Sequence, residues 1–434
     1  MFRISLIKII FLFSLLASYS AWAQDGRKRI LDSSGNPIAH AVIQVDGLKP
    51  IQVSSTGELE AELPSGKSVM VFALGFDSHR FTWQEWGSLE KIILKEKTGA
   101  LQEVVVAATR TDRTVEDLPL PVTVLTSEQV QETGGLRLSE VLREQTGLQI
   151  SSDHGVGLQM QGLDSDYILI LLDGEPLIGR TAGTFDLDRI AVSNIERIEI
   201  LRGPSSAIYG SEAMAGVVNI ITKANKETKK VDLGLRHRSF NTWNPYAELG
   251  FNSEKWRVSG MYDYLRSEGF DLTPETVGQT QNPFAAQTAQ LKVTRAFSPK
   301  WELSLFSRGY LETSSGQMQS GDSETLLGME NFRRDFNLNP TLRFKPSEKW
   351  LFTLRGMSSQ FSTESDTRFM ADGASFDFQE FRQFYHRTEQ QTDFQLDSKN
   401  LFTLGVGHLL ETVEATRYDE VNRFDAGYFF VQHQ

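Results

Sequence analysis

The 434-residue chain contains no cysteine. That excludes disulfide staples, thiolate chemistry and lipid attachment through an acylated cysteine. Positive charge is in deficit as well. There are 44 Lys and Arg against 56 Asp and Glu, for a formal net charge of −12. Such a balance argues against a nucleic-acid partner, which favours basic surfaces. After the N-terminus no stretch is apolar enough for a transmembrane helix, so any membrane span must be built from strands. Enzyme signatures are missing too: there is no G-x-x-x-x-G-K-[ST], no H-E-x-x-H and no G-x-S-x-G. Gly155-x-Gly157 lacks the third glycine and the following helix of a dinucleotide loop. Neither a catalytic residue nor a cofactor nor a metal site is expected. The acid pairs Asp164/Asp166 and Asp186/Asp188 lack the further ligands and the glycine of a calcium loop and read as turn acids that pair with arginines. The histidines are scattered; His154 alone lies in a candidate binding loop.

What is present begins with a secretory signal. Arg3 and Lys8 flank or interrupt an apolar run from Ile4 to Leu16. At about 13 residues, it is shorter than the roughly 20 a spanning helix needs. Ala21-Trp22-Ala23 is a small-x-small cleavage site, so residues 1–23 read as a signal peptide. Residues 25–97 then read as a small β-sandwich of short apolar runs spaced by Gly, Ser and Pro, among them Val42–Val45, Val69–Leu74 and Ile92–Leu94. Residues 98–116 read as a linker carrying the strip Glu103, Val104, Val105, Val106 and Ala107. An exposed β-branched strip of this kind is a ready partner for a sheet edge.

Residues 117–225 mix short helices and strands. Thr126 or Ser127 caps a first helix, and Ser139–Gln145 forms a second one ended by Gly147. Strands follow at Leu148–Ser151, Leu158–Gln161 and Tyr167–Leu172. Asp173-Gly174 is a hairpin-turn signal. The segment Ile195–Lys223 joins two strand-like runs through Arg202, Gly203 and Pro204 and a small-residue stretch holding Tyr209 and Gly210. Gly216 marks a bend or a close backbone approach.

From about residue 230 to 434 the sequence changes to long alternating stretches such as Lys255–Leu265, Ala289–Phe297, Trp301–Tyr310, Phe336–Phe344, Leu351–Met357 and Leu401–Val406. Short polar turns such as Ser298-Pro299-Lys300 alternate with longer polar segments such as Leu311–Leu326, the sequence character of an outer-membrane barrel. A mean hydropathy of −0.29 suits strands whose lipid-facing and lumen-facing residues alternate. The 28 Phe, 10 Tyr and 7 Trp suit aromatic belts at two membrane interfaces. A soluble β-sandwich or β-helix is the competing reading of the alternation alone.

Several of these elements, in order, resemble the TonB-dependent outer-membrane receptors. LQEVVVAATR (Leu101–Arg110) resembles the TonB box and its flank. LPLPVTVLTSEQV (Leu118–Val130), LSEVLREQTGLQI (Leu138–Ile150), YILILLDGEPL (Tyr167–Leu177) and IERIEILRGPSSAIYGSEAMAGVVNIITK (Ile195–Lys223) resemble the plug domain. The N-terminal segment resembles the carboxypeptidase-regulatory-like sandwich of receptors from the Bacteroidetes. The resemblance implies a mainly β chain with an α+β plug: an N-terminal β-sandwich, the plug, then the first part of a transmembrane antiparallel β-barrel. It implies plug-gated uptake of a scarce nutrient, a ferric siderophore or haem first and cobalamin second. The partners implied are TonB with its inner-membrane energising complex, the ligand, and outer-membrane lipid. The N-terminal domain and TonB box would lie in the periplasm. Asp153, His154, Arg180 and Thr181, on the apical loops Ser152–Gly157 and Ile178–Phe185, are the ligand-binding candidates, and both loops are expected to be mobile. Asp173, Gly174, Glu199, Arg202, Gly203, Pro204, Tyr209, Gly210, Gly216 and Asn219 form the plug's structural motif, with Glu199 and Arg202 read as a latch to the barrel wall. About ten strands are legible where the family has about twenty-two, so the chain is expected to be a C-terminally truncated receptor. The alternative from another class is a β-rich surface binding or adhesion protein without transport.

Overall fold

The computed structural model describes residues 28–32, 35–38, 41–45, 50–54, 56–59, 68–73, 76, 78–95, 122–152, 155–203, 210–225, 227–321, 325–397 and 400–433. The expected signal peptide, the strip Glu103–Ala107, Asp153, His154, Pro204 and Tyr209 lie outside the described residues. The chain divides into two compact units, residues 1–104 and 105–434.

The first unit contains β1 (Arg29–Leu31), β2 (Val42–Val45), β3 (Ile51–Gln52), β4 (Ser68–Phe72), β5 (His79–Thr82), α1 (Trp83–Ser88) and β6 (Lys91–Ile93). Strands β3-β2-β4-β5 form an antiparallel sheet, while β1 and β6 pair in parallel. Alternation sends Ile43, Val45, Val69 and Val71 into a core closed by Ile30, Phe81, Trp86 and Ile92. Helix α1 starts where Thr82 and Glu85 cap one another reciprocally.

The second unit has an inner domain and a wall. The inner domain comprises β7 (Val122–Thr126), α2 (Ser127–Glu132), α3 (Leu138–Arg143), β8 (Leu148–Ser151), β9 (Gly157–Met160), β10 (Ile168–Leu172), β11 (Glu175–Pro176), β12 (Arg180–Thr181), β13 (Thr184–Phe185), β14 (Ile195–Arg202) and β15 (Gly216–Thr222). Its central sheet has the order β11-β10-β15-β14-β7, with β10 and β15 parallel and the other pairs antiparallel. Thr126 is the cap of α2 and forms a capping box with Gln129. Asp173 and Gly174 both have positive φ, 52° and 83°, as a tight two-residue turn between β10 and β11 requires. At Gly216 a Cβ would run into the Leu201 carbonyl oxygen, so only glycine lets β14 and β15 close here.

The wall is one sheet of ten consecutive antiparallel strands: β16 (Lys229–Arg238), β17 (Thr242–Asn252), β18 (Trp256–Ser267), β19 (Phe284–Ser298), β20 (Trp301–Gln319), β21 (Leu326–Ser347), β22 (Trp350–Phe369), β23 (Ser375–Gln395), β24 (Leu401–Ala415) and β25 (Asn422–His433). The expected strands fall within these elements to within one residue at either end. One expectation was wrong. Leu311–Gln319 continues β20 rather than forming a loop. A strand of 19 residues is roughly twice the 9–11 that cross a bilayer, so its upper half need not carry apolar residues on the outer face.

Period two assigns the two faces of the wall. On β20 the side chains of Phe306, Arg308 and Tyr310 are buried inward, while Leu303, Leu305 and Leu311 are exposed outward. Val231, Leu233, Leu249, Leu291, Leu404 and Val406 continue that outward apolar face. Near the short turns Trp301, Phe344, Phe352, Trp350 and Phe394 stack in succession along the sheet. This is the placement of an interfacial aromatic belt.

Candidate functional site

The inner domain meets the wall's inward face along a seam of charged side chains, and this seam is the candidate site. Its centre is Arg189, which ends the short 3-10 turn Leu187–Arg189 capped by Asp186. Arg189 Nη2 lies 2.5 Å from Asp335 Oδ2 on β21, and its Nη1 donates to the Gly179 carbonyl at 2.7 Å. The guanidinium sits between the rings of Phe185 and Phe361, 4.6 and 4.4 Å from their centroids. Arg308 on β20 donates to the same Asp335 oxygen at 2.5 Å and to the Arg189 carbonyl at 2.6 Å. Asn337 donates to the other Asp335 oxygen. All three charged side chains are buried. Removing one member of such a group leaves an uncompensated buried charge, at a cost of about 3–5 kcal/mol.

Further contacts stitch the seam along its length. Arg137, just ahead of α3, pairs with Asp263 on β18 at 2.7 Å, and Asn244 on β17 supports Asp263. Asp186 pairs at 2.7 Å with Arg333, which also reaches Glu312. Asn194 donates to Gln290, and Lys223 reaches Glu248 at 3.1 Å. At the short-turn end, Lys292 on β19 holds Asp173 at 2.8 Å, and Arg387 on β23 pairs with Glu175. Asp188 accepts from Ser139. Burial first, then the neighbouring Asp186, pushes its carboxyl up to about 6.

Several residues singled out from the sequence come together here. Asp173 accepts from the Thr222 amide and hydroxyl, both at 2.8 Å. The Gly174 amide donates to Asn219, whose own amide donates to Glu199. Asp173, Gly174, Asn219 and Glu199 thus form one polar chain that fixes the β10–β11 turn to β15 and β14. Gly203 joins the Ala215 carbonyl, and Gly210 opens the short turn Ser211–Ala213.

Three expectations need correction. Glu199 and Arg202 are not a joint latch to the wall. Three positions apart on one strand, they face opposite sides. Glu199 accepts from Arg197, while Arg202 turns to Thr123 and the Thr146 carbonyl inside the inner domain. Arg180 is not available as an apical ligand-binding cation, because its guanidinium donates to the carbonyls of Ser165, Ile168 and Gly183. Burial holds it below the usual guanidinium range. Nor is Ile178–Phe185 a loose loop. Gly179 donates to Gln383 on β23, and Ile178 packs against Met357 and Phe361. Thr181 does remain exposed, as do Leu163 and Tyr167.

Sequence reasoning missed the seam itself: Arg137, Arg189, Arg308, Asp335, Asp263, Lys292 and Arg387. For the wall residues a signal exists. Arg308 keeps the parity of Phe306 and Tyr310, and so lies on the inward face once strand register is known.

The sequence profile of the TonB-dependent receptor plug domain matches residues 114–217. Among solved structures, FpvA of Pseudomonas aeruginosa in complex with an iron-pyoverdine is similar with a TM-score of 0.55 and 13% identity, over 75% of this chain and 55% of that one. The siderophore receptor PirA of Acinetobacter baumannii is similar at 0.54 and 16%, over 68% and 48%. The ferric enterobactin receptor PfeA of P. aeruginosa is similar at 0.54 and 17%, over 69% and 50%. The chain spans about half the length of these receptors.

Proposed function

We propose that this chain, a TonB-dependent receptor by its plug domain and its fold, forms the plug and barrel wall of an energy-coupled outer-membrane importer for an iron chelate. The carrying observation is the seam. A compact plug is seated on the inward face of an antiparallel sheet and held by buried charge pairs, with apolar contact added at Phe306 and where Ile178 meets Met357 and Phe361. Ion pairs of this kind fix register and orientation, yet add little net stability over an apolar contact. A domain held so is located firmly and still separable as a unit. The plug of such a receptor belongs to a transporter, not to an enzyme.

In this reading residues 98–116 present the strip Glu103–Ala107 in the periplasm, where TonB adds a strand to it. The ligand arrives on the opposite side, at the apical turns carrying Leu163, Tyr167 and Thr181. Iron chelates are favoured because similar folds are described as pyoverdine-bound, siderophore and ferric-enterobactin receptors. Haem and cobalamin are the alternatives within the same mechanism.

The test is gene deletion and complementation, with uptake measured for labelled ferric siderophores, haem and cobalamin. Loss and recovery of iron-chelate uptake, with the protein in the outer-membrane fraction, is expected. An outer-membrane location with haem or cobalamin uptake lost instead would overturn the ligand class. Absence from the outer membrane would overturn the transport reading.

A further inference from the structure

Between the plug and the short-turn half of the wall lies a cavity of about 440 Å³, within the range of small-molecule sites. Its lining runs against the charge of the chain. Arg197, Arg257, Lys292, Arg343, Arg355 and Arg387 face four acids, Asp173, Glu175, Glu302 and Glu389, in a protein of net charge −12. Arg197 pairs with Glu199 at 2.8 Å and Arg355 with Glu389 at 3.2 Å, so the shortage of acid lies at the rim. Glu302 alone serves both Arg257, at 2.6 Å, and Arg343, at 3.2 Å. The buried amide of Asn339 lines the same space, and its Oδ1 has no hydrogen-bond partner. That residue precedes Pro340, where β21 and β22 lose register pairs. A buried carbonyl oxygen facing a void calls for a hydrogen-bond donor, which an oxyanion that also bears a hydroxyl supplies.

Two of the lining cations have a second task. Lys292 and Arg387 tie the β10–β11 turn to the wall through Asp173 and Glu175. We propose that the cavity is a binding station for a multivalent oxyanion, a carboxylate- or phosphate-bearing solute, whose oxygens replace Asp173 and Glu175 on Lys292 and Arg387. Occupancy and release of the turn from the wall are then one event. The exchange strands no cation, because an ammonium has three donors and a guanidinium five, so the incoming anion is bound before the carboxylate departs. The inference rests on the transport reading, in which a ligand passes between plug and wall.

The experiment is isothermal titration of the detergent-solubilised receptor with citrate and with inorganic phosphate, at low and high salt and without TonB. The unsubstituted protein binds citrate more tightly than phosphate, and salt weakens both. Asp173→Asn with Glu175→Gln removes the competing carboxylates and tightens citrate binding about tenfold. Lys292→Gln with Arg387→Gln weakens it at least tenfold. If the buried substitutions disturb folding, read by heat-modifiable mobility, Arg257→Gln with Arg343→Gln on the more exposed rim still lowers affinity several-fold. No citrate binding by the unsubstituted protein, or unchanged affinity in the Asp173/Glu175 variant when it is folded, overturns the proposal. Because the assay needs neither uptake nor TonB, it fails independently of the transport reading.

Discussion

At the scale of single residues, the seam makes two predictions of opposite sign. Asp335 is the one carboxylate between Arg189 and Arg308. Asp335→Asn leaves two buried cations facing each other and is expected to loosen the plug by about 3–5 kcal/mol. Hydrogen exchange of the Leu187–Arg189 amides, read against the wall strands, measures this. Replacing all three residues by apolar side chains of similar volume is expected to cost far less. Asp188 behaves the other way. Its carboxyl is raised from 3.8 to about 6, so the folded protein binds a proton that the unfolded chain does not. Its contribution is fully present below about pH 4 and is lost as the pH rises through 6. Asp188→Asn mimics the protonated form and is therefore expected to stabilise the plug at pH 7.5 by about 2–3 kcal/mol. The difference should vanish near pH 4. Equal unfolding midpoints at both pH values would show that the burial of Asp188 has no such consequence.

At the scale of elements, the β12–β13 hairpin depends on a glycine. Gly179 has φ +89°, and a Cβ there would overlap the Phe361 ring that also covers Arg189. Gly179→Ala is expected to unseat the hairpin at a cost of about 1–3 kcal/mol. Adding Phe361→Ala should restore the space but not the backbone preference. A partial recovery of protease resistance around Ile178–Phe185 is the expected reading. The elements were also what the sequence showed best. Alternation placed the wall strands, Asp173-Gly174 marked its turn, and Thr126 or Ser127 marked the start of its helix, because each signal is local. It failed at Leu311–Gln319, where the strand runs past the length of a bilayer-crossing strand and loses its apolar alternation. The seam was not legible, since Arg137 and Asp263 are 126 residues apart and Arg189 and Asp335 are 146 apart. Arg180 misled for a related reason. A charged residue in a glycine-rich stretch looks available until the fold brings three carbonyls to it.

At the scale of the whole molecule, one sheet separates an apolar outer face from a charged inner one, and the plug completes the inner face. The absence of cysteine makes this arrangement simple to map. In intact outer membranes, single cysteines at Leu404 or Val406 should react with lipid-soluble maleimides only. Those at Arg257 or Arg343, on the inner face, should react with water-soluble reagents. A gated importer driven through its plug depends on TonB. The most direct measurement of that dependence is uptake of the labelled iron chelate in cells with and without TonB, and with Val105→Pro in the strip that TonB is to pair with. Both losses are expected to abolish uptake while surface binding of the chelate persists. Uptake that continues without TonB, or that Val105→Pro leaves unchanged, would contradict a plug-driven importer.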